Sequence, residues 1–281
     1  MSPELNVLTG VVRKTQSSYF TCGPLSEIWV GEWSRGRSKS KVAVKVIRGD
    51  ASSMANDFTE LDMKLLQEAR IWSKLNHPNI APFYGVYYGI GRKFAPCLVS
   101  PYFQHGDVEQ YLKRNPDADR MKLVSEVVDG VEYLHENGFI HGDIKSKNIL
   151  INDEGNACIT DFGLTRKLEV TTEFVGGTIR WMAKELFPSE YDGGSEPRLI
   201  TEASDTWAVG MTALEILAGK MPFYWLSEST VISHVRDGGR PSYQRYPRIE
   251  QDVWQVLERC WHEYPAQRPP MSSLCVFFRR N

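Results

Sequence analysis

His141-Gly142-Asp143-Ile144-Lys145-Ser146-Lys147-Asn148, followed at a short distance by Asp161-Phe162-Gly163, is the stretch on which the reading of this chain turns. Upstream, Met121 to Asn137 carries Val124, Val127, Val128, Val131 and Leu134 on one face, an amphipathic helix that ends near Gly138. Downstream, Ile149–Asn152 and Ala157–Thr160 read as two short strands joined by the turn residues Asp153-Glu154-Gly155-Asn156. Asp143 and Asn148 therefore fall in a loop between a helix and a hairpin, and the hairpin folds Asp161 back towards them. A lone Asp or Asn in a loop is usually a turn former. The order and spacing of these three argue otherwise, because three oxygen-bearing side chains converging in one cleft suit Mg²⁺ and a polyphosphate.

Working outward, the first hundred residues read mainly as strands. Ile28–Trp33 and Lys41–Ile47 run apolar or alternate around a turn-like Ser34-Arg35-Gly36-Arg37-Ser38-Lys39, and Phe83–Tyr88 and Lys93–Val99 form two more strands. In Val42-Ala43-Val44-Lys45, alternation puts Ala43 and Lys45 on one face and the valines on the other; taken alone, the pattern reads as a strand-edge lysine. One helix is predicted from Asn56 to Leu75, with Leu61, Leu65, Ala69 and Trp72 in its apolar stripe. Glu68 lies inside that stripe. Either it is buried and needs a cationic partner, or it sits at the stripe edge with its tip in water; helical spacing leaves both open. After Pro101 the pattern turns helical. Asp107 reads as a helix cap, with Gln110 three residues on. Later helices are expected at Glu202–Ala218, near Ser227–Arg236, at Ile249–Cys260 and from Met271. The chain thus divides near Pro101–Phe103 into a strand-rich part, 12–102, and a helical part, 103–281.

Composition narrows the classes. The chain of 281 residues is 42% hydrophobic and 24% charged, with a formal net charge of −2, so it offers no electrostatic case for nucleic acid or an anionic membrane. Its five cysteines are odd in number, widely spaced and without a Cys-x-x-Cys, which points to free thiols in a reducing compartment. The N-terminus lacks a signal-peptide pattern, and the apolar stretch Trp207–Leu226 is broken by Glu215, Lys220 and Pro222, so it reads as a buried helix and its exit turn. A soluble, cytoplasmic protein is expected.

Val42-Ala43-Val44-Lys45, the His141–Asn148 string, Asp161-Phe162-Gly163, Gly177-Thr178-Ile179-Arg180-Trp181-Met182-Ala183-Lys184-Glu185 and Ser204-Asp205-Thr206-Trp207, in this order, resemble a eukaryotic protein kinase domain. The likeness runs from about Val12 to the C-terminus and is most similar to the tyrosine-kinase-like group of serine/threonine kinases; the His-Gly-Asp form resembles kinases expanded in fungi. The resemblance implies an α+β bilobal fold, with a small antiparallel sheet and one helix in the N-lobe and a larger helical C-lobe. It implies ATP and Mg²⁺ as cofactors and a protein serine or threonine hydroxyl as acceptor. On this likeness Lys45 holds the α/β-phosphates and pairs with Glu68, and Asp143 orients the hydroxyl and accepts its proton. Lys145 neutralises the transferring group, while Asn148 and Asp161 hold the metal. Gly23 belongs to the phosphate loop; Ile28, Ala43 and Leu150 sandwich the adenine; backbone groups of Pro101 and Phe103 meet its edge. Glu185 and Arg268 imply a buried ion pair, and Asp205 a hydrogen bond to the catalytic-loop backbone.

Three departures from that pattern stand out. Only Gly23 survives from the glycine-rich loop, here Thr21 to Ile28, which predicts a stiffer loop and weaker ATP binding. Gly142 replaces an arginine that usually pairs with a phosphorylated segment, and Lys184 replaces a proline. These departures keep a second reading in play, a pseudokinase that holds ATP but turns over poorly. A third, a small-molecule phosphotransferase, shares the His-Gly-Asp…Asn string but not the Gly177–Glu185 segment. Neither oligomeric state nor protein substrate is legible.

Overall fold

Alternation decides the first part of the chain. Val42, Val44 and Val46 point to one side of their strand and are buried, while Ala43 and Lys45 on the other side are only partly covered. The structure, a computed structural model, describes residues 5–16, 19, 21–22, 26–47, 55–90, 95–167, 178–187 and 199–280. It divides between Gln104 and His105 into two compact units; the sequence placed the division between Tyr102 and Phe103.

The first unit holds β1 (Val11–Lys14), β2 (Thr21–Cys22), β3 (Ser26–Arg35), β4 (Ser38–Ile47), α1 (Ala55–Trp72), β5 (Gly85–Tyr88) and β6 (Pro96–Pro101). The strands form one antiparallel sheet in the order β1-β3-β4-β6-β5, with β2 also paired to β3. Gly36, at φ +58°, makes the tight turn between β3 and β4. Val42, Val44, Val46, Cys97 and Val99 pack with Leu8, Val12 and Trp33 into one core. Burying each such side chain contributes about 1.5–3 kcal/mol. Strand β1 was not foreseen, because only Val12 of its four residues is buried and so short a run shows no alternation. The fourth predicted strand is described from Pro96; its expected start, Lys93, lies outside the described residues.

The second unit holds α2 (Val108–Arg114), α3 (Arg120–Glu136), β7 (Phe139–Ile140), β8 (Ile149–Ile151), β9 (Ala157–Ile159), β10 (Arg166–Lys167), α4 (Glu202–Ala218), α5 (Glu228–Arg236), α6 (Gln251–Cys260) and α7 (Met271–Phe278). Asp107 caps α2 by accepting from Gln110 N at 2.8 Å, as its sequence position predicts. Helix α3 buries Leu123, Val124, Val127, Val128, Val131 and Leu134 and packs on α4 and α7. Helix α4 is buried on nearly every side, which is why its sequence is apolar all round rather than striped. No helix among the described residues is long and apolar enough to cross a membrane. Cys97, Cys158, Cys260 and Cys275 are buried.

Candidate active site

In the first unit, β4 and α1 place one ion pair. Lys45 Nζ donates to both carboxylate oxygens of Glu68, at 2.8 and 2.9 Å. The Glu68 side chain is 4% exposed and that of Lys45 16%, so the buried alternative for Glu68 is the one realised. A buried carboxylate left unpaired would cost several kcal/mol, and two charge-assisted bonds from one ammonium offset that. Ile28 stands opposite Lys45 in the β3–β4 register, and Ala43 opposite Ser100 of β6. Pro101 ends β6, and Phe103 is buried beyond it. Gly23 lies outside the described residues.

In the second unit, the loop after β7 hangs from a buried carboxylate. Asp205 of α4 accepts from His141 N at 2.8 Å and Gly142 N at 2.9 Å, and lies 3.0 Å from His135 Nε2. Burial would raise the Asp205 pKa, but His135, His141 and the Gly142 N–H together hold it below the ordinary carboxylate value. His141 Nδ1 accepts from Asp143 N at 3.2 Å, its Nε2 lies 3.1 Å from Thr160 O, and its ring meets Phe162 edge to face at 5.4 Å. Leu150, on β8, bridges to Asp107. The contribution of His135 was not foreseen: it follows the buried Leu134 at the end of α3, and nothing in its sequence context sets it apart.

A closed triangle follows. Lys145 Nζ donates to Asp143 Oδ2 at 2.7 Å and to Thr178 Oγ1 at 2.5 Å, and the Thr178 hydroxyl donates to Asp143 Oδ1 at 3.1 Å. Asn148 Nδ2 donates to Asp143 O and Oδ2 at 2.8 and 3.1 Å, which leaves Oδ1 of the amide as its ligand atom. The β8–β9 hairpin closes on Asn148 through Thr160 N to Asn148 O at 2.9 Å, so the next residue, Asp161, arrives beside it. Asp161 takes the left-handed conformation, φ 66° and ψ 74°, strain that residues other than glycine carry mainly at functional sites. The sequence-predicted Asp143, Lys145 and Asn148 are thus brought together, and Asp161 directly follows Thr160, the hairpin residue that closes on Asn148. Asn148 and Asp161 offer hard oxygen ligands, and the donor set fits Mg²⁺.

Around this centre lies the segment from Thr178. Arg268 makes a bidentate pair with Glu185, at 2.6 and 2.8 Å. Lys184, where the family pattern has a proline, pairs its ammonium with Glu263, which also holds Arg240 at 2.8 Å. Glu215 of α4 accepts from Trp181 Nε1 at 3.1 Å, and burial pushes its carboxyl up to about 7. Lys147 pairs with Asp107 at 3.2 Å and Glu109 at 2.7 Å. The Glu215 and Lys147 contacts were missed, since each needs an α-helical residue and a loop residue that no spacing rule connects.

Residues 15–278 match the family described as protein tyrosine and serine/threonine kinase. This chain belongs to that family. The kinase domain is 28% identical over 256 residues to the tyrosine-protein kinase receptor TYRO3 of Gallus gallus, covering 84% of this chain and 28% of the receptor. It is 29% identical over 265 residues to the cytoplasmic tyrosine-protein kinase BMX of Mus musculus, covering 90% and 36%. To the tyrosine-protein kinase TXK of Homo sapiens it is 30% identical over 263 residues, covering 90% and 45%. The chain therefore spans less than half the length of these relatives. They are tyrosine kinases by name, whereas the motifs had suggested the tyrosine-kinase-like serine/threonine group. Protein kinases are phosphotransferases that use ATP with Mg²⁺.

Proposed function

We propose that this kinase domain transfers the γ-phosphoryl group of Mg-ATP to a serine or threonine hydroxyl of a protein. The observation that carries the reading is the Asp143–Lys145–Thr178 triangle. Asp143 would accept the proton of the attacking hydroxyl as the new O–P bond forms and ADP leaves. Lys145, whose ammonium lies 2.7 Å from that carboxylate, would offset negative charge on the transferring group. Lys45, steadied by Glu68, would hold the α/β-phosphates. Asn148 and Asp161 would hold Mg²⁺, which supplies charge neutralisation between the phosphates. Thr178, tied to both Lys145 and Asp143, lines the floor on which a peptide hydroxyl would rest. Ile28, Ala43 and the Pro101–Phe103 backbone of the first unit would hold the adenine. The odd, widely spaced cysteines without a Cys-x-x-Cys favour a cytoplasmic setting.

The names of the relatives favour a second reading, transfer to a tyrosine hydroxyl. The test is phosphorylation of a generic protein substrate with Mg-ATP, followed by phosphoamino-acid analysis, beside an Asp143→Asn control. Phosphoserine and phosphothreonine, lost in the control, are the expected result. Phosphotyrosine would move the acceptor to the second reading, and equal signal from both proteins would leave a pseudokinase.

A further inference from the structure

We propose that the exposed surface built from Lys220, Tyr224, Trp225 and Arg245 binds an acidic segment of a protein partner. The chain leaves α4 at Gly219 and turns sharply, with buried Phe223 at φ +52°. That turn lifts Tyr224, 40% exposed, and Met221, 47% exposed, to the surface. Tyr224 and Trp225 meet edge to face at 5.2 Å. Both rest on the buried Tyr246, at 5.8 and 6.0 Å.

The cations of this patch set its chemistry. Lys220 Nζ lies over the Tyr224 ring at 4.7 Å, and the Arg245 guanidinium over the Trp225 ring at 4.3 Å. Neither makes an ion pair among the described residues. Some exposed cations of this protein find carboxylates, as Lys64 does with Glu60, Lys113 with Glu109 and Arg279 with Asp129. Lys220 and Arg245, like Arg35 over Trp33 and Lys41 over Tyr102, rest on rings instead. Among the described residues, only at Tyr224 and Trp225 do two such pairs adjoin through rings in contact. Two cations flanking an aromatic floor complement a segment that carries two carboxylates with an apolar side chain between them. Tyrosine, tryptophan and arginine are also the residues that dominate binding energy at protein interfaces.

The floor is pre-ordered, which lowers the entropic cost of binding. Tyr246 OH accepts from Phe223 N at 3.1 Å. Arg180 donates to the carbonyls of Pro222, Phe223 and Leu226 at 3.1, 2.7 and 2.7 Å. The same Arg180 lies two residues from Thr178, so the patch and the catalytic centre share one anchor. Aromatic rings with cations also suit stacked nucleic-acid bases. A patch with two cations on a chain of net charge −2 favours the peptide, because nucleic-acid affinity rests on many phosphate contacts.

The test uses the full chain and fluorescence anisotropy of a short labelled peptide of alternating glutamate and leucine. A lysine–leucine peptide and a labelled single-stranded oligonucleotide run beside it. The wild type should bind the glutamate peptide and not the lysine peptide. The double variant Lys220→Glu/Arg245→Glu, both positions exposed and outside the catalytic set, should weaken that binding about tenfold or more and favour the lysine peptide. A second variant, Trp225→Ala, should weaken binding of the glutamate peptide, with its fold checked by thermal melting. Absence of binding by the wild type, or equal binding by the charge-reversed variant, would overturn the proposal. So would tighter binding of the oligonucleotide, or a concentration-dependent dimer that the reversal abolishes, which would assign the surface to nucleic acid or to a second copy.

Discussion

Gly142 sits at φ +80° with its N–H on Asp205 Oδ1, and a Cβ at this position would lie 2.9 Å from Ile200 Cδ1. The sequence showed only that an arginine of the family pattern was missing. The structure adds that the backbone here adopts a conformation in which a side chain is strained. Gly142→Ala should therefore destabilise the domain by about 1 kcal/mol, read as a lower denaturant midpoint with unchanged slope. No loss of midpoint would show that the left-handed geometry is relaxed in solution. Glu215 makes a different prediction. Its carboxyl is raised from 4.5 to about 7, so the folded state holds its proton more tightly than the unfolded chain does. The resulting penalty is absent below about pH 4.5, grows between 4.5 and 7, and is complete above 7. Glu215→Gln keeps an acceptor for Trp181 and removes the charge. It should raise Tm at pH 8, by the equivalent of about 3 kcal/mol at most, and bring little gain at pH 5. Equal gains at both pH values would refute the assignment. Measurements stay at or above pH 5 so that Asp205, whose contribution is lost only as pH falls below its ordinary carboxylate range, remains ionised.

Helix α4 shows how an element supports chemistry it does not touch. Thr201 Oγ1 accepts from Ser204 N at 3.1 Å, and Ser204 Oγ accepts from Thr201 N at 2.8 Å, a closed capping box. Asp205 follows in the next position. Thr201→Ala should cost about 1 kcal/mol in stability and lower turnover more than it raises KM for ATP, because fraying the first turn loosens the carboxylate under the catalytic loop. An unchanged turnover in a destabilised protein would separate the cap from the loop. The long elements were legible for the same kind of local reason. Helix α3 shows its stripe, β4 its alternation, and α2 its Asp107 cap. The two-residue pairing of β7 with β10 was not, since Phe139–Ile140 and Arg166–Lys167 are too short to carry any period.

At the scale of the whole molecule, order and spacing in the sequence marked the residues proposed for catalysis. Asp143, Asn148 and Asp161 lie close in the chain, and one hairpin suffices to gather them. For Glu68 the apolar stripe left a buried and an exposed reading open; its pairing with Lys45 was implied by the family resemblance, and the structure realises it. What spacing could not supply were contacts between distant segments, such as Trp181 with Glu215, Lys184 with Glu263, or Arg180 with the turn at Phe223. Each joins groups whose proximity is set by tertiary packing, not by any periodicity along the chain.

The Asp205 carboxylate has a consequence in time as well as in space. A loop carrying a reactive group is ordinarily among the first parts of a protein to open. Here the amide hydrogens of His141 and Gly142 both end on one oxygen pair of a side chain rooted in the most buried helix of its unit. Those two protons should exchange with deuterium on the schedule of the helical core, while neighbouring loop amides without such an acceptor exchange far sooner.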